Sequence, residues 1–189
     1  VVFADADRDG DGEVDGVLIL HAAPGLEIDP DGWIVPLQFF LAEPVVEAGT
    51  AARSYAVASA RSTLGIQAHE TGHLLGLEDR YDPTLSDNPE VGPRGGLGRF
   101  SLMAAGWRGR GEGRAPALPD GYSRWLLGWV DLADSLGAGR VLRLRSRAGG
   151  GGDEWFLVER RGEDDVAPYD PDLAPDAALV YHVDEGVPE

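Results

Sequence analysis

The sequence has no cysteine and no lysine, and a single methionine. Without cysteine there can be no disulfide framework, and the redox compartment stays undetermined. Every basic residue is an arginine, which fits genomic base composition or a salty milieu equally well. Basic charge is scarce altogether: 16 Lys+Arg stand against 33 Asp+Glu, giving a formal net charge of -17 and a pI near 4.4. Nucleic acid and anionic membrane surfaces repel such a chain, so neither is an expected partner. No apolar run approaches the ~20 residues of a membrane-spanning helix, and no signal peptide is present. The chain also starts on Val1 rather than methionine and reads as a piece of a longer precursor, its targeting segment lying upstream. What is present is an ordinary globular composition, 43% hydrophobic and 26% charged over 189 residues. That is enough for one domain with a sizeable core.

The informative stretch is Gln67-Ala68-His69-Glu70-Thr71-Gly72-His73-Leu74-Leu75-Gly76-Leu77-Glu78-Asp79. It reads as a helix opened by Ser62 or Thr63 as cap. His69 and His73, four residues apart, share one helical face about one turn from each other. Their imidazoles can converge on one metal ion, and zinc suits neutral imidazole while keeping a position open for water. Glu70 can reach that water as a general base without ligating the metal. Gly76 is placed where the helix stops and the chain turns back. A turn there returns the Asp79 carboxylate towards the histidines; Asp82 and Glu78 are the alternatives for this third ligand.

The acidic run Asp5 to Asp15 is the second motif. Asp7, Asp9 and Asp11 fall at positions one, three and five of a calcium loop, Gly12 at six and Asp15 at nine. The closing bidentate Glu is absent, Leu18 standing in its place. No helices flank the loop, because Val17-Leu18-Ile19-Leu20 reads as a buried strand. We therefore expect calcium here, outside an EF-hand. Weaker signals come from Asp79, Asp82, Asp87 and Glu90, a candidate second cation site, and from His21 at a strand end, more often structural than ligating.

Along the chain, Val1 to Ala4 is strand-like, Trp33 to Leu41 a strand that Pro36 confines to an edge or bulge, Glu43 to Thr50 a connection, and Ser54 to Ala60 a short strand. Residues 80–99 read as a long loop. Pro119 to Val130 predicts a short helix closing at Gly128. After it the pattern alternates with period two around 141–145, 154–159 and 178–183, a β-rich tail with no acid-base constellation of its own.

These pieces together resemble the immune inhibitor A family of secreted bacterial metallopeptidases, within the metzincin-like group. The acidic loop before an apolar strand ending in His-Ala carries the resemblance, with His69 through Asp82. So do Ser101-Leu102-Met103 before Ala-Gly-Trp, Leu127-Gly128-Trp129, and Leu179-Val180-Tyr181-His182-Val183-Asp184. The resemblance implies an α+β fold: a metzincin-like zinc peptidase core of sheet, active-site helix and Met-turn, with a β-rich C-terminal part and an incomplete N-terminal part. It divides the chain into a catalytic core at 1–130 and a β-rich subdomain of the same domain at 131–189. It implies a secreted zinc endopeptidase with structural calcium, in which Met103 forms the turn beneath the zinc ligands. Polypeptide substrates would be the partners, and the protein a monomer. Tyr81 or Tyr122 would add a donor to the oxyanion, and the substrate would lie along a sheet edge, with Ser54 to Ala60 as the candidate. The rival readings are a calcium-dependent adhesion domain with a structural zinc site and an amidohydrolase of small amides. Glu70 weighs against the first, because a purely structural site has no use for that acid.

Overall fold

A computed structural model describes residues 2–26, 29–31, 34–81, 96–133, 141–145, 154–161, 170 and 177–186. It is a mixed α+β structure of two sheets and short helices, compatible with a peptidase domain. None of the described helices is long and apolar enough to cross a membrane.

The first sheet has three strands in the order β1 (Leu18–His21), β3 (Thr50–Ser59), β2 (Leu37–Glu47). β3 runs parallel to β1 and antiparallel to β2. Not every sequence expectation holds here. Residues 43–50 do not form a connection: β2 continues to Glu47 and hairpins directly into β3. The two turn residues, Ala48 and Gly49, take φ of 50° and 98°, the left-handed pair that matches the twist of a two-residue hairpin. The edge position allowed for Pro36 agrees with the sheet, where β2 has no strand on its outer side among the described residues, and a register shift between Phe40 and Val45 accommodates Pro44. Finally, β3 is the central strand, so Ser54 to Ala60 offers no edge to a substrate. Its small buried residues Ala51, Ala52, Ala56 and Ala58 let the neighbouring elements close on it. At the N-terminus, Phe3–Ala6 is a 3-10 turn rather than a strand.

Helix α1 (Leu64–Leu74) follows β3 after a short turn. Thr63 occupies its N-cap position, but its side chain makes no capping bond. Past the helix, Leu77, Leu102 and Met103 form one core cluster, flanked by Ala68, Trp107 and Leu127. Gly72 makes that packing possible: a Cβ there would stand 2.5 Å from Met103 Sδ.

Helix α2 (Gly121–Leu126) forms where the sequence predicts it. Asp120 caps it by accepting from Ser123 N, and Gly128 follows with φ 68°. It packs on the second sheet, β4 (Leu132–Ala133), β5 (Val141–Arg145), β6 (Glu154–Arg161) and β7 (Ala177–Asp184), in that order. Trp155, Leu157, Val141 and Tyr181 fill its core against Tyr122 and Trp125 of α2. The period-two reading of the tail finds its strands here, whereas the very short β4, parallel to β5, has no counterpart in it.

Candidate metal centre

The site is built on one helix and its exit. α1 carries His69 and Glu70, both buried, and His73 one turn later. At the C-terminus, Gly76 takes φ 85°, its N–H donates to His73 O (3.0 Å), and Leu77 N donates to Gly72 O (3.0 Å). This is the paired hydrogen-bond pattern of a glycine-terminated helix, and it reverses the chain within three residues. The reversal carries Asp79 back over the histidines. Asp79 Oδ1 lies 3.2 Å from His69 Nε2 and 3.5 Å from His73 Nε2, and the two Nε2 atoms are 3.2 Å apart.

Backbone carbonyls decide which nitrogens face inward. His69 Nδ1 is 2.9 Å from Leu102 O, and His73 Nδ1 is 2.8 Å from Leu77 O. A carbonyl only accepts, so each Nδ1 carries the hydrogen and each Nε2 presents a lone pair. Neither carbonyl is visible in the sequence, because a backbone oxygen leaves no mark in a sequence pattern. Three acceptors therefore face one another with no donor among them, and Asp79 Oδ1 is buried without a hydrogen-bond donor among the described residues. A proton or a cation must stand between them. Without a metal the proton wins. Burial works against a charged His73, but the Asp79 carboxylate, the Leu77 carbonyl and Glu70 outweigh it and raise its pKa. Burial likewise opposes a charged Asp79, yet hydrogen bonds and charge from His69 and His73 hold it well below the usual carboxylate range. Two imidazole nitrogens and a carboxylate oxygen, preorganised around one point, fit a zinc ion with an open position.

A pocket of about 180 Å³ opens beside these residues, lined by Pro36, Ile66, His69, Glu70, Tyr81 and Trp107. Tyr81 lies at this site: burial first, then the charge and hydrogen bond of Asp79, then Glu70, keep its hydroxyl protonated. Tyr122 does not. Its ring packs on Trp125 and Trp155 under the Arg80 guanidinium, and it lines a separate cleft with Glu78 and Asp120. Glu78 thus faces away, while Asp82, Asp87 and Glu90 lie outside the described residues. Met103 is fully buried directly against α1 at Gly72, in the segment whose Leu102 carbonyl orients His69. Pro36, Ile66 and Trp107 went unnoticed in the sequence as pocket residues, since apolar side chains there look like any core.

A second group, Asp7, Asp9 and Asp11, brings ligand oxygens within 4.8 Å of one another. Asp15 stands outside that cluster and accepts from Arg8 N instead. Among the described residues His21 joins neither group, though both its ring nitrogens are buried without a hydrogen-bond partner there.

Residues 41–131 match the family model described as the immune inhibitor A peptidase M6 catalytic domain. The chain is also similar to the protein "Immune inhibitor A" of Bacillus thuringiensis subsp. alesti, 30% identical over 123 residues. That match covers 56% of this chain and 17% of the relative, so the chain spans only a small part of that protein's length. The resemblance drawn from the motifs is borne out over this region.

Proposed function

We propose, for a chain whose residues 41–131 belong to the immune inhibitor A peptidases, that it forms the active centre of a secreted zinc endopeptidase. The observation that carries this reading is the set of three mutually facing acceptors, His69 Nε2, His73 Nε2 and Asp79 Oδ1, with no donor between them. These three residues would hold the zinc. Once bound, the ion lowers the pKa of a water towards ~7 and polarises a carbonyl.

The rest of the chemistry belongs to the chain. Glu70, buried beside His69 and lining the pocket, takes the proton from the attacking water and hands it to the leaving amine. Tyr81 keeps its proton and so remains a donor for the oxyanion that forms as the carbonyl is attacked. Met103 and Leu102 support His69 from below. Pro36, immediately before β2, lines the same pocket as His69 and Glu70. An extended peptide is therefore best received along β2, which has no strand on its outer side among the described residues. Ile66 and Trp107 make the adjoining pocket suited to an apolar side chain.

Residues 1–130 hold the chemistry in this reading, and 131–189 form a supporting part of the same domain, active as a monomer. The Asp7, Asp9 and Asp11 loop is assigned a structural calcium. Casein cleavage tests the function. The protein should digest it, a zinc chelator should stop digestion, and Glu70→Gln should be inactive while still holding zinc. Zinc binding without any cleavage would instead support a structural site in an adhesion domain.

A further inference from the structure

The second sheet reaches the metal centre through a buried polar relay that the chemistry above does not use. Arg161, at the end of β6, is almost fully buried. Its guanidinium donates to the Phe100 carbonyl (3.0 Å) and the Pro119 carbonyl (3.0 Å), and its Nε donates to Glu159 (2.7 Å). Asp170 shares the same guanidinium and accepts from Leu118 N (3.0 Å). Leu118 O in turn accepts from Leu102 N (3.0 Å). Asp120, fully buried, accepts from the Ser101 hydroxyl at 2.8 Å, and Ser101 Oγ accepts from Met103 N at 3.2 Å.

The segment held from both sides, residues 100–103, is the one that bonds one proposed ligand and the residue that follows another. Leu102 O faces His69 Nδ1, and Met103 O accepts from Arg80 N (2.7 Å), one residue beyond Asp79. A carbonyl can fix an imidazole only as rigidly as its own peptide is fixed. Within 100–103, the peptides on both sides of Leu102 are anchored to side chains or to the 118–119 segment.

Resting on the zinc reading above, we propose that Ser101, Asp120 and Arg161 are positioning residues for the metal centre: they lock the 100–103 segment so that Leu102 O and Met103 O hold His69 and the Asp79 segment in ligating geometry. The β-rich half thereby contributes to metal affinity while contributing no ligand.

The test is zinc affinity of the full chain, measured by chelator competition alongside urea unfolding. Ser101→Ala removes the hydroxyl that joins Asp120 to Met103 N. It should weaken zinc binding about tenfold, the usual effect of losing a group that orients a ligand. Ser101→Cys, close in volume but a poor acceptor, should do the same and carries the test if the alanine variant does not fold. Val183→Ala, in the packing of the second sheet away from the relay, is the control. It should lower stability and leave zinc affinity near wild type. Wild-type affinity in the Ser101 variants, or an equal loss in Val183→Ala at matched stability, overturns the relay. Wild-type protein that takes up no zinc at all overturns the zinc reading itself, and the relay with it.

Discussion

Among the described residues, two clusters bring acidic or metal-ligating atoms within 4.8 Å, and they differ in what surrounds those atoms. In the Asp7, Asp9 and Asp11 loop, backbone amides already answer the carboxylates. Asp7 accepts from Gly10 N and Gly12 N, Asp9 from Asp11 N, and Asp11 from Glu13 N. Asp9 and Asp11 are exposed as well. At His69, His73 and Asp79 the backbone does the reverse. Carbonyls occupy the outer ring nitrogens and leave only acceptors facing inward, at a partly to fully buried point. The same number of candidate ligands thus makes one loop whose carboxylates already have backbone donors and one centre that requires a positive species. Proximity of ligand types is weak information; the hydrogen-bond partners of those ligands separate the two cases.

The comparison can be broken most sharply at the histidines. His73→Ala should abolish zinc uptake, measured as metal content after dialysis, and all peptide cleavage with it. Glu70→Gln should separate binding from turnover: zinc content unchanged, cleavage of a peptide reduced by about 10²–10⁴-fold. If both properties fell together, Glu70 would be holding the metal site rather than moving a proton.

Next in size is the packing under α1. Gly72→Ala drives a methyl against Met103 Sδ and should cost about 1–3 kcal/mol in urea unfolding. An equally small-to-large change at the exposed Gly10 meets no atom within 4 Å, though its φ of 78° still penalises a side chain.

Acidity sharpens the contrast further. In the metal-free protein, His73 is raised and Asp79 lowered. The His73 contribution to stability is full below its unfolded pKa and is lost as pH rises through the folded one. The Asp79 contribution is present above its unfolded pKa and is lost as pH falls through the folded one. The metal-free centre is thus best stabilised between the two unfolded values, in mildly acid solution. Zinc competes with that proton, so the gain in thermal midpoint on adding zinc should grow from pH 5 to pH 7. A gain independent of pH would contradict the shared-proton picture.

The smallest effect is expected at the acidic loop. Calcium at ten times its dissociation constant should add about 1.4 kcal/mol. Asp9→Asn should remove that increment and change little without calcium.

How much of this was legible in the sequence follows the same division between local and distant. The helix, its glycine exit and the return of Asp79 all lie between Leu64 and Asp79, and their physics is helical spacing plus one left-handed residue. They could be read directly. So could the short α2 and its Gly128 stop, and the alternation of β5 to β7. The long β2–β3 hairpin escaped because Ala48-Gly49 is not a usual hairpin pair and a proline such as Pro44 disfavours a strand interior. The central place of β3 escaped because strand order is decided by partners, not by a strand's own residues. The Arg161 network joins groups up to 61 residues apart, and half of its acceptors are backbone carbonyls. Nothing in a local pattern marks them. Tyr81 and Tyr122 look alike in sequence, and only the chain reversal at Gly76, which brings Tyr81 with Asp79 to the histidines, distinguishes them.

The account stands or falls on the three acceptors sharing one ion. X-ray absorption at the zinc edge, on protein purified with one equivalent of zinc, reads that directly. We predict one zinc per chain, with two imidazole nitrogens, carboxylate oxygen and a water-like ligand, and loss of the signal in His73→Ala. Failure to bind zinc, or a zinc environment unchanged in His73→Ala, would contradict it.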